Sequence, residues 1–235
     1  MATRRDDGTW EIRGRTVGFP VRIGSASAAC ATYLVPVRRV RPFTGGTGLQ
    51  PVTVAGRVPV FLLLVEYRVN DLGAYDEVGL AFLVRHRGRI GTYVHQLPVT
   101  ETLTMEAGRA LWGLPKWLAR AALAIDRGDA GCRLDVEGRH VLTVALRAAR
   151  WPLPVRVTGP LTVLAPRAGS ILASAVRMRA RGVRLGFGRA LLEAGDGHPM
   201  ADDLRALGLP GARPLVTTVV DDLAFEMDAA VERAP

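Results

Sequence analysis

Residues 78–97 read VGLAFLVRHRGRIGTYVHQL, two apolar runs of strand composition on either side of a polar, glycine-containing tip. The pattern predicts two strands of a β-hairpin turning at RHRGR. Working outward, ARAALAIDRGDAGCRLDVEGRHVLTVALRA at 119–148 predicts three more strands with turns at Gly128 and Gly138, and 153–164, 171–188 and 214–227 supply further candidates. Two stretches depart from this. TETLTMEAGRALWG at 100–113 puts Leu103, Ala107, Ala110 and Leu111 on one helical face, with a threonine available as N-cap and Gly113 and Pro115 as stop signals. HPMADDLRALG at 198–208 places Pro199 at a first helical position and Gly208 just past the end. There is no internal repeat, low-complexity tract or linker-like composition, so the expectation is one domain over 1–235. Its fold class is α+β, predominantly antiparallel β with a few short helices.

Composition narrows the function. A 49% hydrophobic and 23% charged chain suits a packed globular core and excludes disordered and fibrous classes. The net charge of +9 invites a nucleic-acid reading, but the arginines are scattered, RRVR at 38–41 is the densest run, and 6% aromatic residues offer no base-stacking platform. No nucleic-acid partner is expected. The start, MATRRDDGTWEIRGR, has no apolar stretch after its charges, and VPVFLLLV at 58–65 is too short to span a bilayer. The protein is therefore expected to be cytoplasmic, with no membrane partner. Cys30 and Cys132 form no metal knuckle, and His86, His95, His140 and His198 share no metal-ligand spacing. LGFGRALLEAG has Leu191 where a dinucleotide loop needs its third glycine, FTGGTGLQ lacks the Lys-Ser/Thr of a phosphate loop, and neither HExxH nor GxSxG occurs. No metal and no cofactor are expected.

One residue stands apart. ALWGLPKWLAR contains Lys116, the single lysine beside 30 arginines. A guanidinium cannot release its proton in a protein, whereas an ammonium can become a free amine that attacks a carbonyl. At the reference pKa only roughly one lysine in 2,500 is deprotonated at neutral pH. Trp112, Leu114, Pro115, Trp117 and Leu118 would supply a dry environment, and Arg109 and Arg120 like-charge pressure, so a lowered pKa is expected for Lys116.

The stretch GAYDEVGLAFLVRHRGRIGTYVHQLPVTETLTMEAGRALWGLPKWLA at 73–119 resembles the central segment of the acetoacetate decarboxylase family, with its Y-x-E strand, G-x-Y-x-H strand, G-R dipeptide and P-K lysine. The resemblance implies a sheet curled into a barrel or cone, with the 100–113 helix beside its mouth and Lys116 facing the cavity. It implies that Lys116 forms a Schiff base with a keto acid, that Glu77 is the acid/base group, and that Glu66 is a second glutamate on the preceding strand. Tyr75, His95, Arg109, Trp112, Leu114 and Trp117 are the expected substrate-binding residues, the two tryptophans suiting a bulkier substrate. Homo-oligomers are also implied. Three departures bear on the substrate. Trp117 replaces the family's second lysine, Ala110 replaces a glutamate after the G-R dipeptide, and RIGSASAACATYL contains no clear counterpart of a substrate-binding arginine. The outcomes open at this point are decarboxylation of a β-keto acid, an aldolase-dehydratase or cyclase reaction on a larger keto substrate, including natural-product intermediates, and non-catalytic binding.

Overall fold

In chain order the computed structural model, which describes residues 2–233, runs through β1 (Ala2–Arg4), β2 (Trp10–Ile12), β3 (Arg15–Val17), β4 (Val21–Pro36), α1 (Val37–Thr44), β5 (Gln50–Pro51), β6 (Arg57–Asn70), β7 (Tyr75–His86) and β8 (Arg89–Val99). It continues through α2 (Thr102–Trp112), β9 (Lys116–Leu118), β10 (Arg120–Asp126), β11 (Asp129–Val136), β12 (Arg139–Arg147), β13 (Val157–Arg167), β14 (Ser170–Gly186), β15 (Ala190–Ala194), α3 (Pro199–Leu207), β16 (Val216–Met227) and β17 (Val231–Arg233). The opening hairpin is β7–β8, which pairs antiparallel down to His86 opposite Arg89.

The main sheet has the order β5-β7-β6-β4-β16-β14-β13-β8-β9, and the β7–β8 pairing closes seven of these strands into a barrel. Its pairings are antiparallel except at two short parallel contacts, β8 with β13 and β8 with β9. At the first of these seams Gly91 permits the approach, because a Cβ there would lie 2.8 Å from the Thr162 carbonyl oxygen. A second sheet, β10-β11-β12-β15, lies outside the barrel, and β1-β2-β3 forms a small third one.

Strand alternation divides the apolar residues into two cores. On β6, Val58, Val60, Leu62 and Leu64 join an outer core with Leu80, Phe82, Leu134, Leu142 and residues of α1 and α3, filling the space between barrel and second sheet. Fully buried side chains such as Leu62, Leu80 and Leu142 each stabilise the fold by about 2 kcal/mol. The alternate residues of β6, Phe61, Leu63, Val65 and Tyr67, point inward and meet residues from every barrel strand, with Ala107, Leu111 and Trp112 of α2 packed against them. α2 thus sits on the inner core, and Gly113 ends it in the left-handed conformation at φ 66°.

One expectation needs correction, and two features lie outside the expected elements. The cap of α2 is Glu101, with no side-chain cap bond, rather than a threonine. RRVR lies in a helix, α1, which carries Pro42 inside it and buries Val40 and Thr44. The short strands β1 to β3 have no counterpart among the expected elements. Among the described residues no helix is long and apolar enough to cross a membrane, which says nothing of strands.

Candidate active site

Lys116 opens β9, which runs parallel to β8 with Leu97 opposite Lys116. Leu97 faces the barrel interior, and so does Lys116, which is only 3% exposed. Its Nζ lies 2.7 Å from Glu77 Oε2, donates to Thr104 Oγ1 at 3.0 Å, and reaches the Tyr75 hydroxyl at 3.4 Å. Tyr75 and Glu77 share the inner face of β7 because they are two residues apart. Thr104 comes from α2, fully buried. Across the pairing of β6 with β7, Tyr67 stands opposite Tyr75. Their rings stack at 4.3 Å, and the Tyr67 hydroxyl donates to Glu77 Oε1 at 2.9 Å.

The helix packs directly over the lysine. A Cβ at Gly108 would stand 2.5 Å from Lys116 Cδ and 2.7 Å from Cε, so glycine is what lets α2 close over the aliphatic stem. Arg109, on the exposed side of α2, donates through Nε to the Lys116 carbonyl at 2.6 Å. It therefore fixes the backbone of Lys116 and is not placed beside its amine.

The electrostatics differ from the sequence expectation. Burial pulls the Lys116 pKa down, but the Glu77 carboxylate and the Tyr75 hydroxyl pull it up further, and the net shift is above the ordinary lysine value. The resting amine is protonated and paired. Burial and the neighbouring Glu77 charge push Tyr67 well above the usual phenol range. Tyr75 is raised by burial, against an opposing pull from Lys116. Among the described residues the only other buried cation with a permanent charge is Arg184. It is turned out of the barrel toward Asp221 and the Arg150 carbonyl.

Several expected site residues lie elsewhere. Glu66 is on the outer face of β6, half-exposed, 3.5 Å from Arg68, and does not share the lysine's pocket. His95 sits at a register shift between Leu80 and Ala81, and this β-bulge turns both His95 and Gln96 outward. There His95 Nε2 meets Asp203 of α3 at 3.0 Å, and Gln96 donates to the same carboxylate at 2.7 Å. Trp117 points to the face opposite Lys116, donates to Gln96 at 3.0 Å, and packs on His198 with ring centres 4.8 Å apart. Trp112 donates to the Asp228 carbonyl at 2.9 Å and meets Phe19 edge-on, and Leu114 is buried in the inner core. These three pack the frame and do not line the amine. Sequence reasoning missed Thr104 and Tyr67. The signal for Tyr67 was the two-residue alternation of VEYRV, in which Glu66 and Tyr67 must face opposite sides. Among the described residues no group of three or more His, Cys, Asp or Glu side chains could hold a metal ion.

A closed seven-stranded barrel of mostly antiparallel strands with a few short helices matches the fold of solved acetoacetate decarboxylase-like proteins. Three solved structures illustrate the likeness. The acetoacetate decarboxylase of Legionella pneumophila has a TM-score of 0.75 at 15% identity, covering 93% of this chain and 88% of that one. The enduracididine biosynthesis enzyme MppR, solved with the condensation product of pyruvate and imidazole 4-carboxaldehyde, has a TM-score of 0.67 at 18% identity, covering 94% and 93%. An acetoacetate decarboxylase-like enzyme from Sphingomonas wittichii has a TM-score of 0.60 at 16% identity, covering 94% and 96%. At these identities the likeness is one of fold. By sequence, the acetoacetate decarboxylase of Acidiphilium cryptum is 39% identical over 77 residues, which is 33% of this chain and 31% of that protein's length. The family model described as acetoacetate decarboxylase matches residues 13–162, and the chain belongs to that family.

Proposed function

We propose that the protein is a lyase that binds a β-keto acid as an imine on Lys116 and releases carbon dioxide from it. The observation that carries this reading is the 2.7 Å contact of Lys116 Nζ with Glu77 Oε2 inside the barrel. The pair holds one proton that either partner can carry. Transfer from the ammonium to Glu77 frees the amine to attack the ketone carbon. Glu77 then returns the proton to the carbinolamine oxygen, which leaves as water. The ammonium and ketone thereby become a protonated imine and one water, with Glu77 again a carboxylate. The imine draws the electron pair of the departing carboxylate's C–C bond, giving carbon dioxide and an enamine. A proton taken up from solvent at the enamine carbon, followed by hydrolysis by water, releases the ketone and restores the ammonium. The imine is itself the electron sink, so this sequence calls for no cofactor.

A second reading keeps the imine but ends in aldol condensation, dehydration or cyclisation. It is supported by the lack of a second inward cation. Position 117 faces away from Lys116, and no other buried permanent cation among the described residues lies within the barrel to hold a small carboxylate. The test is to incubate the protein with a panel of β-keto and α-keto acids and to follow carbon dioxide release and substrate loss together. Lys116-dependent carbon dioxide release supports decarboxylation. Substrate consumption without it supports the second reading, and no consumption of any member contradicts both.

A further inference from the structure

The two oxygens of Glu77 have different partners. Oε2 faces Lys116 Nζ, while Oε1 accepts the Tyr67 hydroxyl at 2.9 Å. Tyr67 is held from both sides. Its ring stacks on Tyr75 with an interplanar angle of 21°, and Phe225 of β16 packs edge-on at 6.2 Å. A hydroxyl fixed in this way fixes the carboxylate it binds. Resting on the imine reading above, we propose that Tyr67 is a positioning residue. It occupies Oε1, stops the carboxylate from rotating, and leaves Oε2 as the single atom that carries the proton between the amine and the carbinolamine oxygen.

The groups facing Glu77 are Lys116 from β9, Tyr67 from β6 and Tyr75 from its own strand, with the neutral Thr104 of α2 beside the amine. Tyr67 is the member whose hydroxyl contacts the carboxylate without contacting the amine. Burial and the Glu77 charge hold its own proton on, so it remains a donor through the cycle. A hydrogen bond from a neutral donor to a charged acceptor is one of the stronger kinds, and its loss should appear in the proton-transfer steps more than in substrate binding.

The test compares Tyr67→Phe, which keeps the ring stack, with Tyr75→Phe, which removes a contact to the amine. Tyr67→Phe is expected to lower kcat by about tenfold to a hundredfold with KM little changed. It should also move the acidic limb of the kcat profile up by about one pH unit, because the carboxylate has lost a donor that favours its charged form. Tyr75→Phe is expected to leave that limb in place. If Tyr67→Phe fails to fold, fluorotyrosine at position 67 keeps the packing and strengthens the donor, and the limb should then move down. An unshifted acidic limb in Tyr67→Phe or in the fluorotyrosine protein, whatever the loss of rate, would reduce Tyr67 to packing and overturn the proposal. Borohydride labelling of the wild type is read first. Its absence would overturn the imine reading and this proposal together, whereas a labelled wild type with an unchanged limb overturns the role of Tyr67 alone.

Discussion

At the residue scale the account rests on one proton shared by Lys116 and Glu77. Burial opposes the charged amine and Glu77 restores it, so Glu77→Gln leaves burial largely unopposed. The variant should therefore carry an amine that titrates lower than in the wild type, yet form the imine about a hundredfold more slowly for want of the acid. The pH dependence of single-turnover borohydride trapping checks both. An unchanged amine titration would show that Glu77 does not hold the resting proton. Stability follows from the same pair. Lys116 has a raised folded-state pKa, so its contribution is fully present below the unfolded lysine value of about 10.5 and is lost as pH rises through the folded value. Denaturant midpoints should fall on the alkaline side of that value more steeply than in a Lys116→Met/Glu77→Leu protein. Lys116→Met alone strands a buried carboxylate and should cost about 3–5 kcal/mol, much of it recovered in the double variant. Lys116 and Glu77 were legible in the sequence for different reasons. The lysine stood out as the one exception to an arginine-only chain, and the glutamate was assigned through the family's Y-x-E spacing.

At the element scale α2 and β9 hold the lysine between them. Gly108 costs α2 up to about 1 kcal/mol of helix propensity relative to alanine. A methyl there would nevertheless meet Lys116 Cδ and Cε, whose far end is tied to Glu77 and cannot swing aside. Gly108→Ala should therefore lower both activity and melting temperature, and an unchanged or raised melting temperature with full activity would contradict this packing. Trp117 gives the opposite lesson. The resemblance places the family's second lysine at this position. β9 turns the tryptophan into the outer core against Gln96 and His198, so Trp117→Lys should destabilise the protein and leave the amine's titration little changed. Faces of this kind were hard to read in advance. A one-residue phase separates Glu66 from Tyr67, and the β-bulge that turns His95 outward leaves no local mark in the sequence. The long strand β4 was also missed, because Ala, Gly and Ser in VRIGSASAACATYLVP have low β-propensity and are strand only by virtue of their neighbours β6 and β16.

At the scale of the whole molecule, hairpin-rich patterning pointed to antiparallel sheet, but closure did not follow from it. The β7–β8 hairpin is local, but the barrel also depends on the parallel seam between β8 and β13 and on the pairing of β4 with β16, contacts between segments far apart in the chain. Trp151, Leu153 and Phe187 lie exposed along neighbouring segments joined by a Leu153-to-Val183 backbone bond. Self-association is expected, and light scattering at micromolar concentration that reports a monomer would contradict it. The central claim, that a barrel with one interior amine makes a covalent imine, can be read on the intact protein. Treatment with a keto acid and borohydride should add the mass of one reduced imine, mapped to Lys116, and Lys116→Arg should abolish both the added mass at that position and turnover. A Lys116→Arg protein that keeps its activity toward the substrate, or a label confined to the N-terminal amine, would contradict the account.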